Sequence, residues 1–245
     1  TEFLTNPIGV DFKHPLIIWN CEGGVKQTAY RILASSGWDS GKVASVSMRT
    51  TYPLELKSRE IVDFTITLWD ENDREGEPSS SSFEIGLLEK GDWQAKWISG
   101  NYAPNPLNRY PVDCFKKEFD TNNIKKARIY ATACGLYELM LNGVRVGDFS
   151  LAPGHTDYRK RIQYQTYDVT DMLKEGKNTI TALLADGWYR GSVGAWGLRN
   201  QYGTETKLIL QLEVTYVNGD KDYLLSGDSW AWSNDGCIIS ADNKD

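Results

Sequence analysis

Two histidines and four cysteines leave this chain of 245 residues poorly supplied with soft metal ligands. None of the cysteines (Cys21, Cys114, Cys134, Cys237) forms a CxxC pair, so a zinc site built from His and Cys is not expected. Long apolar runs are also missing; the longest are strand-sized, too short for a helix that crosses a membrane. Positive charge is in deficit, with a formal net charge of −6, which argues against a nucleic-acid partner but is neutral toward an uncharged sugar. No stretch sustains helical spacing for three turns. The familiar catalytic signatures GxSxG, Walker A, HExxH and the EF-hand loop do not occur.

Other scarcities bear on location. Cys134 lies in an apolar alternating run, where a buried thiol is expected, and the cysteines read as reduced and structural. The opening TEFLTNPIGVDF has neither a basic region nor an apolar core of the signal-peptide kind. Together these features give the expectation of a cytoplasmic protein.

What is present is period 2. In Ile61–Trp69, Val62, Phe64, Ile66 and Leu68 share one face, with Asp63, Thr65 and Thr67 on the other. In Lys207–Tyr216, Leu208, Leu210, Leu212, Val214 and Tyr216 alternate with Lys207, Gln211, Glu213 and Thr215. Such segments are half-buried strands of antiparallel sheets. Asn142-Gly143 suits a type I′ turn that sets Leu141 opposite Val144 and Leu139 opposite Val146, all four on one face. Asn218-Gly219 is expected to do the same, with Val214 opposite Tyr223 and Leu212 opposite Leu225. The one helix expected is short, around Thr170–Lys174 and stopped by Gly176.

Many short strands with turn signals between them indicate an all-β fold of two β-sandwich domains, residues 1–90 and 91–245. The boundary is placed at Leu87–Asp92 (LLEKGD). Gly76–Ser82 reads as a loop within the first domain. Asn101–Pro111 holds three of the eight prolines and reads as an irregular surface stretch. There is no internal repeat.

Three features could carry chemistry. Asp148, Asp157, Asp168, Asp171 and Asp186 cluster in turns, where they are compatible with a calcium site. The plainer reading is that their side chains accept hydrogen bonds from nearby backbone N–H groups. His14 precedes Pro15 and reads as a surface residue, whereas His155 in APGHTDY is placed to touch a ligand or to bond locally. Asp186–Arg199 (DGWYRGSVGAWGLR) combines glycines, Trp188, Tyr189, Trp196 and two arginines without regular period. Aromatic faces there could stack on a sugar ring while arginine and aspartate, Arg190 and Asp157 among them, orient hydroxyls, with His155 as a further contact. Packing against a neighbouring domain is the competing reading and the commoner use of such residues.

The run PGHTDYRKRIQYQTYDVT (153–170), followed by DGWYRG (186–191), resembles the amino-terminal β domain of family 78 glycoside hydrolases, the bacterial α-L-rhamnosidases. Upstream, NPIGVD, QTAYRI and WDSGKV resemble the immunoglobulin-like or fibronectin III-like module before it, and FEIGLLEKGDWQAKWI resembles their junction. One departure is His155, where tryptophan is common in P-G-x-T-D-Y. The resemblance implies a galactose-binding-like jelly roll for the second domain. It also implies that the acid and base of an inverting hydrolysis sit on an (α/α)6 barrel downstream. Such a barrel needs about a dozen amphipathic helices, and this chain shows none. No catalytic residue is carried over.

The expectation is therefore a non-catalytic scaffold that docks on the catalytic barrel and lines part of its cleft. An autonomous module for rhamnose-containing glycans, with or without calcium, is the alternative. A structural protein of immunoglobulin-like sandwiches is the third.

Overall fold

The period-2 segments are strands in the structure, a computed structural model that describes residues 1–194, 196–240 and 242. The chain is all-β apart from three single-turn helical pieces among the described residues, and it divides into two units, Thr1–Trp93 and Gln94–Asp245.

The first unit runs β1 (Ile8–Val10), β2 (Leu16–Ile18), β3 (Ala29–Ala34), β4 (Val43–Ala44), β5 (Arg49–Thr51), β6 (Ile61–Trp69) and β7 (Ser79–Ile85). One five-stranded sheet has the order β1-β7-β6-β3-β4, and β2 pairs with β5 in a separate two-stranded sheet. All pairs are antiparallel except β1 with β7. Ile17, Ile32, Val62 and Ile85 are wholly buried, joined in the core by Tyr52, Phe64 and Phe83. Each such aliphatic side chain contributes roughly 1.5–3 kcal/mol by leaving water. Along β6 the alternation holds through Ile66 and then fails, because Thr67 and Trp69 are buried as well. Part of Gly76–Ser82 differs from the expected loop. Ser79–Ser82 form the first half of β7, in register with Asp63–Ile66 of β6. Serine has little preference for strands, so pairing with a strong neighbouring strand decides the matter.

The second unit contains β8 (Asp113–Thr121), β9 (Ile124–Cys134), β10 (Leu136–Leu141), β11 (Val144–Arg145) and β12 (Gln165–Asp168). It continues with β13 (Gly176–Ala185), the one-turn helix α1 (Gly187–Arg190), β14 (Lys207–Tyr216), β15 (Lys221–Leu225) and β16 (Ala231–Ser233). Two fully antiparallel sheets result, β11-β10-β13-β8-β16 and β12-β9-β14-β15. Leu139, Leu141, Ile180 and Leu184 of the first meet Ile129, Leu208, Leu210 and Leu212 of the second in one core, which makes this unit a sandwich. The outer face of the central pair β9–β14 is covered too. Tyr130, Ile209 and Gln211 are buried there, and Gln211, read from sequence as solvent-facing, accepts the Gln94 backbone N–H at 2.8 Å.

The two hairpins differ. Asn142 and Gly143 both take positive φ, 55° and 80°, and Leu141 faces Val144 as the type I′ geometry requires. Val144 nevertheless is 61% exposed, because the two-residue edge strand β11 runs beyond the cover of the core. At Asn218-Gly219 only the glycine has positive φ, 91°. Val217 joins the loop, making three residues, and the register slips by one, so Leu212 faces Leu224 and Val214 faces Asp222. The slip turns Leu224 toward the core and leaves Tyr223 exposed. A type I turn closed by a left-handed glycine gives this loop length.

The expected helix at Thr170–Lys174 is a 3-10 turn, Thr170–Met172, which ends where Leu173 returns to extended backbone. A second, unexpected turn is α1.

Candidate functional site

Strand β13 ends at Ala185, and from Asp186 the chain turns immediately into α1. Gly187 permits the turn twice over: its φ is +50°, and a Cβ there would overlap the Leu136 side chain. The turn brings Arg190 back over Asp186. Arg190 Nε donates to Asp186 Oδ1 at 2.7 Å, and both side chains are 3% exposed. Arg199 Nη2 donates to the other oxygen, Asp186 Oδ2, at 2.7 Å. One buried carboxylate thus holds two guanidinium groups from opposite ends of the Gly191–Arg199 loop.

Asp242 anchors the start of the loop, accepting the Ser192 backbone N–H at 2.7 Å and its hydroxyl at 2.9 Å. Arg190 Nη1 also donates to Tyr102 Oη at 2.9 Å, and Tyr102 Oη donates to Asp113 Oδ2 at 3.2 Å. Burial by itself would lower the Arg190 guanidinium, but Asp186 and Tyr102 outweigh it and hold the group above its ordinary value. Burial pushes the Asp113 carboxyl up, partly offset by hydrogen bonds from the Trp232 indole and Tyr102.

Beside this network lies a group of rings. His155 stacks on Trp188 with centroids 5.4 Å apart and meets Tyr202 edge-on at 6.2 Å. Behind them Tyr158 contacts Tyr202 at 5.0 Å and Tyr189 at 5.4 Å. Burial pushes the Tyr158 hydroxyl up to about 12. Gly203 packs so tightly on the Tyr189 ring that a Cβ would overlap it. His155 is exposed, and at the rim Arg159 pairs with Asp157 at 2.9 Å while its guanidinium lies 5.5 Å from the Tyr202 ring centre. The hydrogen bonds from Arg159 also keep the Asp157 carboxyl below its usual range.

The structure therefore brings together His155, Asp157, Trp188 and Tyr189 of the residues picked from sequence. It separates two others. Arg190 is buried and its charge is spent inside the protein on Asp186, so it is in no position to orient a ligand hydroxyl. Trp196 is 90% exposed and makes no ring contact with the group among the described residues. Sequence reading assigned no role to Tyr158, Tyr202, Arg199 or Asp242. Tyr158 and Arg199 sat in motifs it had singled out, whereas Tyr202 and Asp242 become neighbours of the site through tertiary folding alone.

The clustered aspartates do not converge. Asp157 pairs with Arg159, Asp168 with Arg128 at 2.7 Å and with the Thr170 N–H, and Asp186 with two arginines. No group of three or more His, Cys, Asp or Glu side chains capable of holding a metal occurs among the described residues. This donor arrangement does not fit a carboxylate calcium site at those aspartates.

A family model described as the α-L-rhamnosidase N-terminal domain matches residues 122–243, and one described as the Rha78A-like N-terminal immunoglobulin domain matches residues 1–89. An α-L-rhamnosidase of Formosa agariphila is 34% identical over 262 residues, a match covering 97% of this chain and 28% of the relative. One from Streptomyces avermitilis is 42% identical over 196 residues, covering 77% of this chain and 18% of the relative. Among solved structures, the α-L-rhamnosidase of Aspergillus terreus superposes with a TM-score of 0.88 at 34% identity, covering 96% of this chain and 28% of that one. The S. avermitilis α-L-rhamnosidase complexed with L-rhamnose superposes with a TM-score of 0.88 at 25% identity, covering 98% of this chain and 41% of that one. The chain spans less than a third of the curated relatives it matches.

Proposed function

Because this chain belongs to the α-L-rhamnosidases, as the amino-terminal β domains of that family, we propose that it is a non-catalytic scaffold for a catalytic portion of the same polypeptide. The reaction served is the hydrolysis of terminal α-L-rhamnose from rhamnosides, with inversion as the family resemblance implies. The observation that carries the docking role is an apolar surface on the loops braced by Asp186. Arg199 donates to the Asn108 carbonyl and Asn200 to the Pro106 carbonyl, which fastens the 105–108 loop beside the 196–200 segment. On these loops Leu107 and Trp196 are 89% and 90% exposed, and Leu198 is 61% exposed. Large apolar side chains held outward on a rigid frame suit a permanent intramolecular interface.

The test compares three proteins on an aryl α-L-rhamnoside: this chain alone, the full-length enzyme and full-length Trp196→Asp/Leu198→Asp. The expected result is no turnover by the chain alone and a lower melting temperature for the double variant. Turnover by the rigorously purified chain, or an unaltered melting temperature in the double variant, rejects the reading.

The stacked pair His155–Trp188 favours a second role, in which the ring group walls one side of a rhamnoside site. A polarised aromatic surface rimmed by Asp157 and Arg159 offers both stacking and hydroxyl partners. Calorimetry of the chain with L-rhamnose, with and without calcium, and of Trp188→Ala tests it. Heat lost in Trp188→Ala supports the role, and no heat at millimolar sugar removes it.

A further inference from the structure

Asn-Gly occurs twice in the chain, at 142–143 and 218–219, and the fold treats the two asparagine amides in opposite ways. Asparagine followed by glycine is prone to ring closure, because no Cβ shields the glycine nitrogen and the backbone around it turns freely. Closure needs two freedoms. The asparagine side chain must swing until Cγ meets the next residue's backbone nitrogen, and that nitrogen must be free of its own hydrogen bond.

Asn142 lacks the first freedom. Its Oδ1 accepts the Thr179 N–H at 3.0 Å, and its Nδ2 donates to the Met172 carbonyl at 3.0 Å and to Asn178 Oδ1 at 2.8 Å. Asn178 is itself 1% exposed and donates to Thr121 Oγ1 and to the Lys174 and Gly176 carbonyls. The amide is therefore tied into a buried network, and several bonds must break together before Cγ can move.

Asn218 has both freedoms. It is exposed in the β14–β15 loop, and its amide bonds only to Asp220, which is exposed as well. The Gly219 N–H donates to the Tyr216 carbonyl at 3.0 Å, a single turn bond at the end of the sheet. Loop bonds of this kind open far more often than the sheet unfolds.

We infer that Asn218 is a site of spontaneous modification by water, and that the fold locks Asn142 against the same reaction. The Gly219 nitrogen gives its proton to solvent and bonds to Asn218 Cγ. The Cγ–Nδ2 bond breaks, and the amide nitrogen takes a proton from solvent and leaves as ammonia. Water then adds to one of the two carbonyls of the five-membered imide. Opening at Cγ leaves aspartate; opening at the Asn218 main-chain carbonyl routes the chain through Cγ and leaves isoaspartate. Nothing is oxidised or reduced. Either product adds a negative charge next to Asp220 and Asp222, which line one hollow with Asp120. The inference rests on the two hairpins alone and is independent of the rhamnosidase reading.

The experiment ages the whole chain in mildly alkaline buffer well below its melting temperature, with a parallel sample in urea, and follows each Asn-Gly peptide by mass spectrometry. In the folded sample the peptide holding Asn218 should gain the mass of an amide-to-acid change at least about tenfold faster than the one holding Asn142. Its product should contain both aspartate and isoaspartate. In urea the two rates should converge, because the lock is gone. An unchanged Asn218 peptide in the folded sample overturns the site. A product of aspartate alone overturns the ring-closure route. Equal rates in the folded chain, or an Asn142 peptide that stays slow in urea, overturn the lock.

Discussion

Arg190 stands four residues after Asp186 and delivers both Nε and Nη2 to the same oxygen of it, at 2.7 Å, with neither side chain more than 3% exposed. The pair fastens the start of a glycine-rich segment, and Arg199 fastens its far end to the same carboxylate. It also explains why an arginine chosen from sequence as a ligand contact is a strut.

Removing one partner of this cluster leaves buried charge uncompensated. Asp186→Ala strands both Arg190 and Arg199 and is expected to cost about 3–5 kcal/mol of the second unit's stability. Asp186→Asn keeps the shape and some hydrogen bonds and should cost less. Urea unfolding followed by tryptophan fluorescence measures both, and equal stability of Asp186→Ala and the parent protein would refute the strut.

The two Asn-Gly turns are expected to respond differently. Asn142 has φ of 55°, and its side chain donates to the Met172 carbonyl and Asn178 while accepting the Thr179 N–H at 3.0 Å. Asn142→Ala should lose roughly 2–4 kcal/mol from left-handed strain and broken hydrogen bonds. Asn218 has an ordinary negative φ and bonds only to exposed Asp220, so Asn218→Ala should cost less than about 1 kcal/mol. Thermal melts of the two variants give the comparison, and matching losses would contradict the slipped register.

Gly135 tests the close approach of the β9–β10 link to the end of β13. Its φ is +142° and a Cβ would overlap the Ala185 carbonyl oxygen, which is backbone and cannot swing away. Gly135→Ala is expected to destabilise by more than about 1 kcal/mol, opposite in sign to the gain a glycine-to-alanine change gives at a permissive site. A melting temperature at or above that of the parent protein counts against this geometry.

Asp113 supplies a pH dependence. Its folded carboxyl is raised above the unfolded value of 3.8 by burial, so its contribution is fully present below that pH. The contribution falls as pH rises through the folded value. The stability of the parent protein relative to Asp113→Asn should therefore decline from pH 4 toward neutrality. Paired urea titrations across that range check the sign; a difference that is flat or grows with pH would refute it.

Much of this architecture was legible in the residues themselves. Alternation in Ile61–Trp69 and Lys207–Tyr216 names strands because period 2 and a half-buried sheet are one constraint written twice. Asn142-Gly143 sets its own hairpin because both residues tolerate left-handed backbone, and the motifs from Pro153 to Gly191 declare the family. Local chemistry could not choose between a two- and a three-residue loop at Asn218-Gly219. There Leu224, rather than its neighbours, had to reach a core assembled from distant strands. Nor could it tell a ligand-facing Arg190 from a buried one. That depended on the chain turning back at Asp186 just after β13, on Arg199 folding back from the far end of the same segment, and on Asp242 arriving from elsewhere in the chain. Charge pairing inside a protein is settled by which groups lose their water together, and only the assembled fold decides that.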